Sequence, residues 1–345
     1  MKSLDLREIR SRMKYSEIEG LKVSKMIFGT ATPKLFAAVA DAAGKREEEE
    51  AFSLLDDVCE CGINTFDCAA HYGEEILGKW MQSRGVREKC NVLTKCAHPN
   101  KWRDRLTEYD ILSDIHDSLK KLHTDDIDFY LLHRDNKSVP AGDVVEIMNR
   151  LLNEGKIKVY GASNWTHDRI EEANEYAYKH NLAPMRVSSP NFGIAEQVAD
   201  PWRCDAKFGD GCVTISGPDH ADARTWYSRH SVAVFAYSSL ARGFFSGAFK
   251  SYERDKAKEI LDGPGLTGYY CENNFERLRR CELLAESRGI SVAQTAMAWI
   301  YHQSFEVFAI SSPVTEEQIR QNIQAMEISL SEREVKWLNL EVDAL

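Results

Sequence analysis

Long apolar runs are missing from this chain of 345 residues. A transmembrane helix needs about 20 consecutive apolar residues, and no segment approaches that length. The first residues also lack the apolar stretch of a secretory signal peptide. We therefore expect no membrane-spanning segment and no membrane partner, and we predict a cytoplasmic protein.

An excess of positive charge is missing as well. The chain has 44 Lys and Arg against 54 Asp and Glu, which gives a formal net charge of −10 and a pI of about 5.6. A nucleic-acid-binding protein usually presents a basic face. The composition therefore argues against a nucleic-acid partner and leaves a small-molecule partner open.

A disulfide pattern is also missing. The nine cysteines are odd in number and show no framework spacing, which is typical of a reducing compartment. Cys59 and Cys61 stand two apart in a predicted helix and so face different directions, which argues against a metal pair. Cys68 and Cys96 are interpreted as thiols that line the barrel.

Glycine-rich phosphate motifs are absent too, since no G-x-G-x-x-G or P-loop pattern follows the first predicted strand. This argues against an open, doubly wound sheet. Short runs rich in Val, Ile, Phe and Tyr alternate instead with helical patterns. The predicted strands cover residues 26–30, 63–68, 91–96, 128–133, 158–163, 186–192, 232–238 and 307–312. Eight successive βα units predict one α/β domain over residues 1–345, a (β/α)8 TIM barrel.

Two segments fall outside the βα repeat. Residues 14–24 are typical of a small hairpin, which we place at the barrel floor. Residues 193–231 form a long insertion after a strand, with Trp202, Cys204, Phe208 and Cys212. Long loops after strands lie on the carboxyl face of a barrel, where they can cover a site.

Four polar residues lie at or just beyond the ends of neighbouring predicted strands, namely Asp67, Tyr72, Lys95 and His133. In a barrel these ends converge at one mouth. A tyrosine with a pKa of about 10 is a weak acid at neutral pH, and a nearby ammonium stabilises its phenolate. A buried carboxylate keeps the ammonium charged, and a histidine can orient a carbonyl group. The structural alternatives are a loop-capping acid, a rim lysine and a satisfied core histidine, but the four residues together favour proton transfer to a carbonyl oxygen.

With these residues the chain resembles the aldo-keto reductase family along nearly its whole length. The matching segments are 28–30 (Phe-Gly-Thr), 64–67 (Asn-Thr-Phe-Asp), 72–73 (Tyr-Gly), 75–78 (Glu-Ile-Leu-Gly), 94–95 (Thr-Lys), 132–133 (Leu-His), 161–164 (Gly-Ala-Ser-Asn) and 237–243 (Tyr-Ser-Ser-Leu-Ala-Arg-Gly). The resemblance implies NAD(P)(H)-dependent interconversion of a carbonyl compound and an alcohol. It also implies that Tyr72 is the general acid, that Lys95 lowers the pKa of Tyr72, that Asp67 pairs with Lys95, and that His133 orients the carbonyl.

The same resemblance places NADP or NAD along the strand ends. Ser163 and Asn164 are expected to hold the carboxamide, and the ring of Tyr237 is expected to stack on the nicotinamide. The loop expected to surround the pyrophosphate contains Ser238, Leu240, Arg242 and Ser246. The other expected cofactor contacts are Gly29, Thr30, Ser189, Ser311, Ser312, Gln318 and Asn322. The structural alternatives are a plain turn at Ser163, a core aromatic at Tyr237 and a solvated Arg242.

Some positions depart from the family pattern. Ser189 stands where a glutamine often binds the carboxamide, with Asn191 as an alternative. Ser312 and Gln318 stand where many NADPH-using members place a cation for the 2′-phosphate. A charge-assisted contact is worth about 1.5–3 kcal/mol, so we predict dual or NAD-leaning use of the cofactor.

The loops after the strands also supply the candidate substrate contacts, which are His71, Trp102, Arg134 and Trp165, with Asp135 and Trp202 near them. This mixture of aromatic and polar groups suits a hydroxylated substrate, such as a sugar-like carbonyl compound or a keto-glycoside. The alternatives are loop packing for the tryptophans and a local ion pair between Arg134 and Asp135.

Two other functions stay open. One is a regulatory or sensor barrel that binds the cofactor with little turnover. The other is a metal-dependent barrel hydrolase, but the first predicted strand has no metal ligand, so no metal is expected. The sequence does not decide between a monomer and a homo-oligomer.

Overall fold

The computed structural model describes residues 6–40, 44–202 and 211–345. Its strands are β1 (Tyr15–Ile18), β2 (Leu21–Ser24), β3 (Met26–Gly29), β4 (Thr65–Asp67), β5 (Asn91–Cys96), β6 (Ile127–Leu132), β7 (Ile157–Ser163), β8 (Val187–Ser189), β9 (Ala233–Ala236) and β10 (Val307–Ser311). Strands β3 to β10 are parallel and close into a barrel in the order β10-β3-β4-β5-β6-β7-β8-β9. The predicted (β/α)8 TIM barrel is confirmed, and each of the eight predicted strands overlaps one barrel strand.

Helices lie between the barrel strands and in the loops. They are α1 (Leu6–Arg12), α2 (Pro33–Ala38), α3 (Lys45–Glu60), α4 (Glu74–Arg84), α5 (Glu108–Leu122), α6 (Ala141–Asn153), α7 (His167–Lys179), α8 (Ala221–Arg229), α9 (Arg254–Ile260), α10 (Gly263–Tyr269), α11 (Glu272–Arg288), α12 (Val292–Tyr301), α13 (Glu316–Gln324) and α14 (Glu332–Leu338). Short 3₁₀ turns cover Arg87–Lys89, Pro218–His220, Ala241–Gly243 and Ala325–Glu327. None of the described helices combines the length and the apolar character that crossing a bilayer requires.

The barrel strands are buried on both faces, which explains their continuous apolar sequence. In β5 and β6, Leu93 lies beside Phe129 and Lys95 lies beside Leu131. Leu93, Phe129 and Leu131 belong to the apolar cluster inside the barrel, whereas the alternate residues Val92 and Tyr130 pack with the helices outside. The strands therefore have an inward register with a period of two residues.

This inward register ends in polar side chains at the carboxyl end of the barrel. Lys95 lies two positions beyond Leu93, and His133 lies two positions beyond Leu131. Tyr237 stands in the same relation to Phe235 in β9. The core thus fills the lower part of the barrel, and the polar residues of the inward register surround its mouth.

The hairpin β1–β2 lies at the amino end of the barrel, as predicted. Ile18 and Val23 join the apolar cluster inside the barrel. Asn64 directly precedes β4, and Asn91 is the first residue of β5. Their side-chain amides both donate to the Lys22 carbonyl at 2.8 Å. The hairpin therefore covers the floor of the barrel, opposite the polar mouth.

The predicted insertion follows β8 and lies at the carboxyl side of the barrel. Trp202 reaches the loop after β9, where the Arg242 guanidinium lies 4.6 Å from the centre of its ring. Thr214 bridges to Asn191 just after β8. Cys204 and Phe208 lie outside the described residues.

Candidate active site

A cavity of about 940 Å³ opens at the carboxyl ends of the barrel strands. Its volume lies in the range of small-molecule and cofactor sites, about 300–1,000 Å³. The predicted residues that line it are Gly29, Asp67, His71, Tyr72, Lys95, His133, Arg134, Ser163, Asn164, Ser189, Trp202, Tyr237, Ser238, Leu240, Arg242, Ser246, Ser311, Ser312, Gln318 and Asn322. The cavity therefore brings together all four predicted catalytic residues and most of the predicted cofactor contacts.

Three predicted contacts lie away from this lining. Trp165 was expected to contact substrate, but its side chain is wholly buried and packs beside the guanidinium of Arg169, 5.0 Å from the ring centre. Trp102, expected there too, is 70% exposed and lies beside Lys101. The third, Thr30, was expected to contact the cofactor. It is buried, and both its backbone N–H and its hydroxyl donate to the Asp67 carbonyl, at 2.9 and 2.8 Å, so it joins β3 to β4.

Two of the sequence-based alternatives are also placed elsewhere. The amide of Asn191 is buried and donates to the Tyr269 hydroxyl at 2.7 Å, outside the cavity lining. Asp135 forms an ion pair with Arg169 at 3.2 Å, and the Arg134–Asp135 ion pair, which was the alternative for these two residues, is not present.

Tyr72 is positioned by a tight turn after β4. The backbones of Ala69 and Tyr72 exchange two hydrogen bonds of 2.9 Å. Gly73 follows with a φ of +79°, and a Cβ there would lie 1.9 Å from the Thr30 hydroxyl. Only glycine satisfies both constraints, and the turn places the Tyr72 hydroxyl above the end of β5.

Lys95 is the centre of the polar cluster. Its ammonium donates to Asp67 Oδ1 at 2.5 Å, to the Cys68 carbonyl at 2.8 Å and to Tyr72 Oη at 2.8 Å. A lysine ammonium has three N–H donors, so each of them is used. Burial lowers the pKa of Lys95, but Asp67 and Tyr72 raise it more, and the net pKa lies above its usual range. The lysine is therefore charged and held in one orientation.

The hydroxyl proton of Tyr72 is left loosely held. Tyr72 Oη accepts from Lys95, and its own contact to Asp67 Oδ2 measures 3.5 Å, at the limit of a hydrogen bond. The side chain is half-buried and lines the cavity. An oxygen atom of a molecule bound in the cavity can therefore compete for this proton.

The pKa of Tyr72 is raised above its ordinary value. Burial raises it most and the Asp67 carboxylate raises it further, while Lys95 acts in the opposite direction. The expected influence of Lys95 is present, but it does not set the net direction. Tyr72 is thus a protonated phenol at neutral pH, which is the form that can donate a proton.

Three imidazoles surround the cavity mouth next to Tyr72. The ring centres of His71, His98 and His133 lie 4.7–5.2 Å apart. Their ring nitrogens come within 4.8 Å of one another, in the part of the chain that is described. Nδ1 of His133 is buried and has no hydrogen-bond partner there.

The three imidazoles are neutral at physiological pH. Desolvation lowers the pKa of His71 to about 4 and that of His133 well below its usual range, and the charges of Lys95 and Arg134 act in the same direction. Desolvation lowers the pKa of His98 as well. A neutral His133 can orient a carbonyl group without adding a second cation beside Lys95.

The directions of the pKa shifts of Tyr72 and the histidines predict that the rate of carbonyl reduction changes little with pH. The pKa of Tyr72 is raised from about 10, so its active protonated form persists to pH 9, and the lowered histidine pKa values leave neutral imidazoles at pH 6. We expect kcat/KM for reduction to change by less than about threefold between about pH 6 and 9. Initial rates in buffers of constant ionic strength provide the measurement, and an inflection near pH 6.5 would contradict the assignment of a neutral His133.

The loop after β9 is the one expected to surround the pyrophosphate, and four of its residues have a left-handed backbone. Ser238, Ala241 and Arg242 have φ values of +56°, +49° and +53°, and Gly243 follows at +94°. The N–H groups of Ala241 and Gly243 donate within the loop, to the carbonyls of Ser238 and Leu240 at 2.7 and 3.1 Å. Ser238, Leu240, Arg242 and Ser246 line the cavity. Arg242 Nε also donates to Asp262 Oδ1 at 3.0 Å, which fixes the guanidinium at the rim.

The strand ends next to this loop hold a preformed polar surface. Asn164 Oδ1 accepts from the Tyr237 hydroxyl at 2.8 Å, and Asn164 Nδ2 donates to Ser163 Oγ at 3.0 Å. The Ser163 hydroxyl donates to the Ser189 carbonyl at 2.8 Å. The ring of Tyr237 is therefore held in place, and these residues line the part of the cavity where the carboxamide of a nicotinamide is expected.

The opposite end of the cavity lies between β10 and α13. Gln318 Oε1 accepts from the Val314 backbone at 2.8 Å, and Asn322 Nδ2 donates to Ser311 Oγ at 3.0 Å. Arg320 bonds instead to Glu316 and Glu317, at 2.8 Å each, and does not line the cavity. Among the described lining residues, this end has no cation.

Some lining residues were not among the predicted contacts. His98 lies three residues beyond Lys95, and the rule that polar residues follow barrel strands would have found it. Gln321 lies three residues beyond Gln318 on the same face of α13. Ala31 and Phe36 belong to the loop and short helix after β3, and no pattern in the sequence marked them.

Comparisons with known proteins agree with this geometry. The sequence model described as the aldo/keto reductase family matches residues 25–202 and 219–339. The uncharacterized oxidoreductase YrpG of Bacillus subtilis is 27% identical over 93% of this chain and 92% of its own length. The probable aldo-keto reductase 1 of Glycine max is 26% identical over 92% of this chain and 85% of its own length. The norsolorinic acid reductase stcV of Emericella nidulans is 25% identical over 93% of this chain and 78% of its own length.

Proposed function

Because the chain belongs to the aldo/keto reductase family and is an oxidoreductase, we propose that it interconverts an aldehyde or ketone and the corresponding alcohol with a nicotinamide cofactor. The observation that carries the proposal is the position of the Lys95 ammonium, which bonds to both Asp67 and Tyr72 at the wall of a cofactor-sized cavity. The bound reduced nicotinamide would supply the hydride.

The residues of the chain supply the proton and the orientation. In reduction, Tyr72 gives its hydroxyl proton to the carbonyl oxygen, and the neighbouring Lys95 stabilises the phenolate that remains. Asp67 keeps Lys95 charged, and neutral His133 orients the carbonyl from the same wall. Solvent at the open mouth then returns a proton to Tyr72, and oxidation of the alcohol runs through the same groups in reverse.

Oxidation of a reduced nicotinamide cofactor in the presence of a carbonyl panel tests this function. We expect absorbance of the reduced cofactor to fall only when a carbonyl compound is present. A barrel that binds the cofactor as a sensor would instead show cofactor binding and no turnover with any carbonyl. That second result would contradict the proposal.

The substrate proposed from the lining is a hydroxylated, sugar-like carbonyl compound. Its support is the mixture of His71, His98, Arg134 and Trp202 beside Tyr72, since Trp102 and Trp165 lie elsewhere. Strong activity on unsubstituted aliphatic aldehydes without activity on hydroxylated ones would contradict it.

For the cofactor, we propose dual or NAD-leaning use. At limiting cofactor, turnover with NADPH should exceed turnover with NADH by less than about tenfold, because Ser312 and Gln318 offer no charge to the 2′-phosphate. The substitution Gln318→Arg should raise the NADPH/NADH ratio of kcat/KM by about tenfold. The matched control is Gln82→Arg, which adds the same charge at an exposed position of α4. A wild-type preference for NADPH above tenfold, or an equal shift in both variants, would contradict the proposal.

A further inference from the structure

Arg134 has an unusual position in the cavity wall. It follows His133, is half-buried and lines the cavity. Its Nη1 donates to the His133 carbonyl at 2.9 Å, and its Nη2 lies 3.6 Å from Cys212 Sγ. Burial raises the pKa of Cys212 to about 11, although Arg134 opposes this, so the sulfur is a neutral thiol. Both partners of the guanidinium are therefore uncharged.

No described acidic side chain forms an ion pair with Arg134. The adjacent Asp135 pairs with Arg169. Burial raises the pKa of Asp200, but hydrogen bonds from the backbones of Trp202 and Cys212, at 2.9 and 2.8 Å, lower it, and the charge of Arg134 adds to this lowering without an ion pair. Among the described residues the guanidinium donates only to the His133 carbonyl and to Cys212 Sγ, which leaves N–H groups for a further acceptor, since an arginine has five.

The other charges of the described lining are paired. Its cations are Lys95, Arg134 and Arg242, and its only acid is Asp67. Asp67 is held by Lys95, and Arg242 is held by Asp262. Arg134 is thus the cation of the described lining that has no ion-pair partner among the described residues, in a chain whose formal net charge is −10.

The neighbouring imidazoles do not supply a negative charge. His71, His98 and His133 are neutral, and the charge of Arg134 is one cause of their lowered pKa values. The same charge acts against a divalent metal ion at these three rings. The potential at the substrate end therefore favours an anion rather than a cation.

We propose that Arg134 binds an anionic group of the substrate, so that the preferred carbonyl compounds carry a carboxylate or a phosphate ester. The planar guanidinium matches either group with two parallel hydrogen bonds, and a half-buried position strengthens them. The proposal rests on the proposed carbonyl reduction and adds a substrate class to it. A hydroxylated compound with an acidic group, such as a sugar acid, satisfies both.

A matched set of aldehydes tests the proposal in the full-length protein. The probes are 4-carboxybenzaldehyde, 4-formylphenyl phosphate and the neutral 4-formylbenzamide. We expect kcat/KM for at least one anionic probe to exceed that for the amide by about tenfold or more. The better of the two anions identifies the carboxylate or the phosphate ester as the natural group.

Variants test whether Arg134 is the cause of the preference for anionic aldehydes. In Arg134→Gln the ratio of kcat/KM for the anionic probe over the amide should fall about tenfold, mainly through KM, and Arg134→Lys should keep part of it. The control is Lys101→Gln, which removes the same charge from an exposed site outside the cavity lining. A wild-type ratio near one, or equal losses in Arg134→Gln and Lys101→Gln, would overturn the proposal while the reductase function stands.

A binding measurement distinguishes failure of the proposed anion site at Arg134 from failure of the proposed carbonyl reduction. Calorimetric titration with 4-(hydroxymethyl)benzoate and with 4-(hydroxymethyl)benzamide needs no turnover. If no aldehyde is reduced, the proposed function fails, but tighter binding of the benzoate that is lost in Arg134→Gln still supports the anion site. Equal binding of the two alcohols to the wild-type protein would overturn it.

Discussion

The substitution Tyr72→Phe is expected to lower kcat for carbonyl reduction by about a thousandfold or more. Phenylalanine keeps the aromatic ring in the turn before Gly73 but removes the hydroxyl group bonded to Lys95, and with it the proton proposed for transfer to the carbonyl oxygen. General acid catalysis commonly contributes about 10²–10⁴-fold, and no other described hydroxyl is bonded to the Lys95 ammonium. Steady-state rates with a saturating carbonyl substrate provide the measurement.

Two controls make this result specific. Tyr252→Phe removes a hydroxyl from a tyrosine that is 79% exposed, and it should leave kcat unchanged. Cofactor affinity, followed by quenching of tryptophan fluorescence, should be similar in Tyr72→Phe and in the wild-type protein. If Tyr72→Phe keeps more than about a tenth of the wild-type kcat, another group donates the proton.

The substitution Lys95→Met is expected to reduce both activity and stability. It removes the partner of Tyr72 and leaves the buried Asp67 carboxylate without its ion pair. Breaking one side of a buried pair typically costs about 3–5 kcal/mol. We expect the free energy of unfolding in urea at neutral pH to fall by about that amount, with a loss of kcat of about a hundredfold or more.

The double variant Asp67→Asn/Lys95→Met separates the unpaired charge from lost packing. It should be more stable than Lys95→Met alone, because no buried carboxylate remains without a partner. Burial by itself raises the pKa of Asp67, so Lys95→Met should regain stability as the pH falls from about 8 to about 5 and the carboxyl group becomes protonated. A double variant that is less stable than Lys95→Met at both pH values would show that the charge is not the cause.

Most of the barrel and its polar mouth follow from local sequence. The strands of the barrel read as continuous apolar runs because they are buried on both faces, and residues such as Lys95 and His133 mark where each run meets the cavity. Parallel strands bring those ends together without any further information. Helix α14 likewise begins after a capping box of Ser331 and Glu334, a spacing that can be read from the sequence.

Short helices in the loops were not predicted. Helices α1, α2, α9 and α10 have only six or seven residues each, which is too short for a clear helical period. Helix α10 also begins with Gly263 and Pro264, which are more typical of a turn. The positions of these helices depend on tertiary contacts, which the local sequence pattern does not reveal.

Side-chain direction in the loops was the other gap. Trp165 follows Asn164, whose φ of +59° turns the chain so that the indole packs inward beside Arg169 rather than into the cavity. A left-handed residue of this kind is not visible in sequence spacing.

The net pKa of Tyr72 could not be predicted from the sequence either. It depends on burial and on the distance to Asp67, whereas the sequence indicates only that Lys95 is near.

A crystal structure of the protein with a nicotinamide cofactor and a carbonyl inhibitor tests the role of Tyr72 most directly. The carbonyl oxygen should lie within about 3.2 Å of Tyr72 Oη and next to the His133 ring, with the Lys95 ammonium still bonded to Tyr72. A carbonyl oxygen bound elsewhere, with the Tyr72 hydroxyl turned away from Lys95, would contradict Tyr72 as the proton donor.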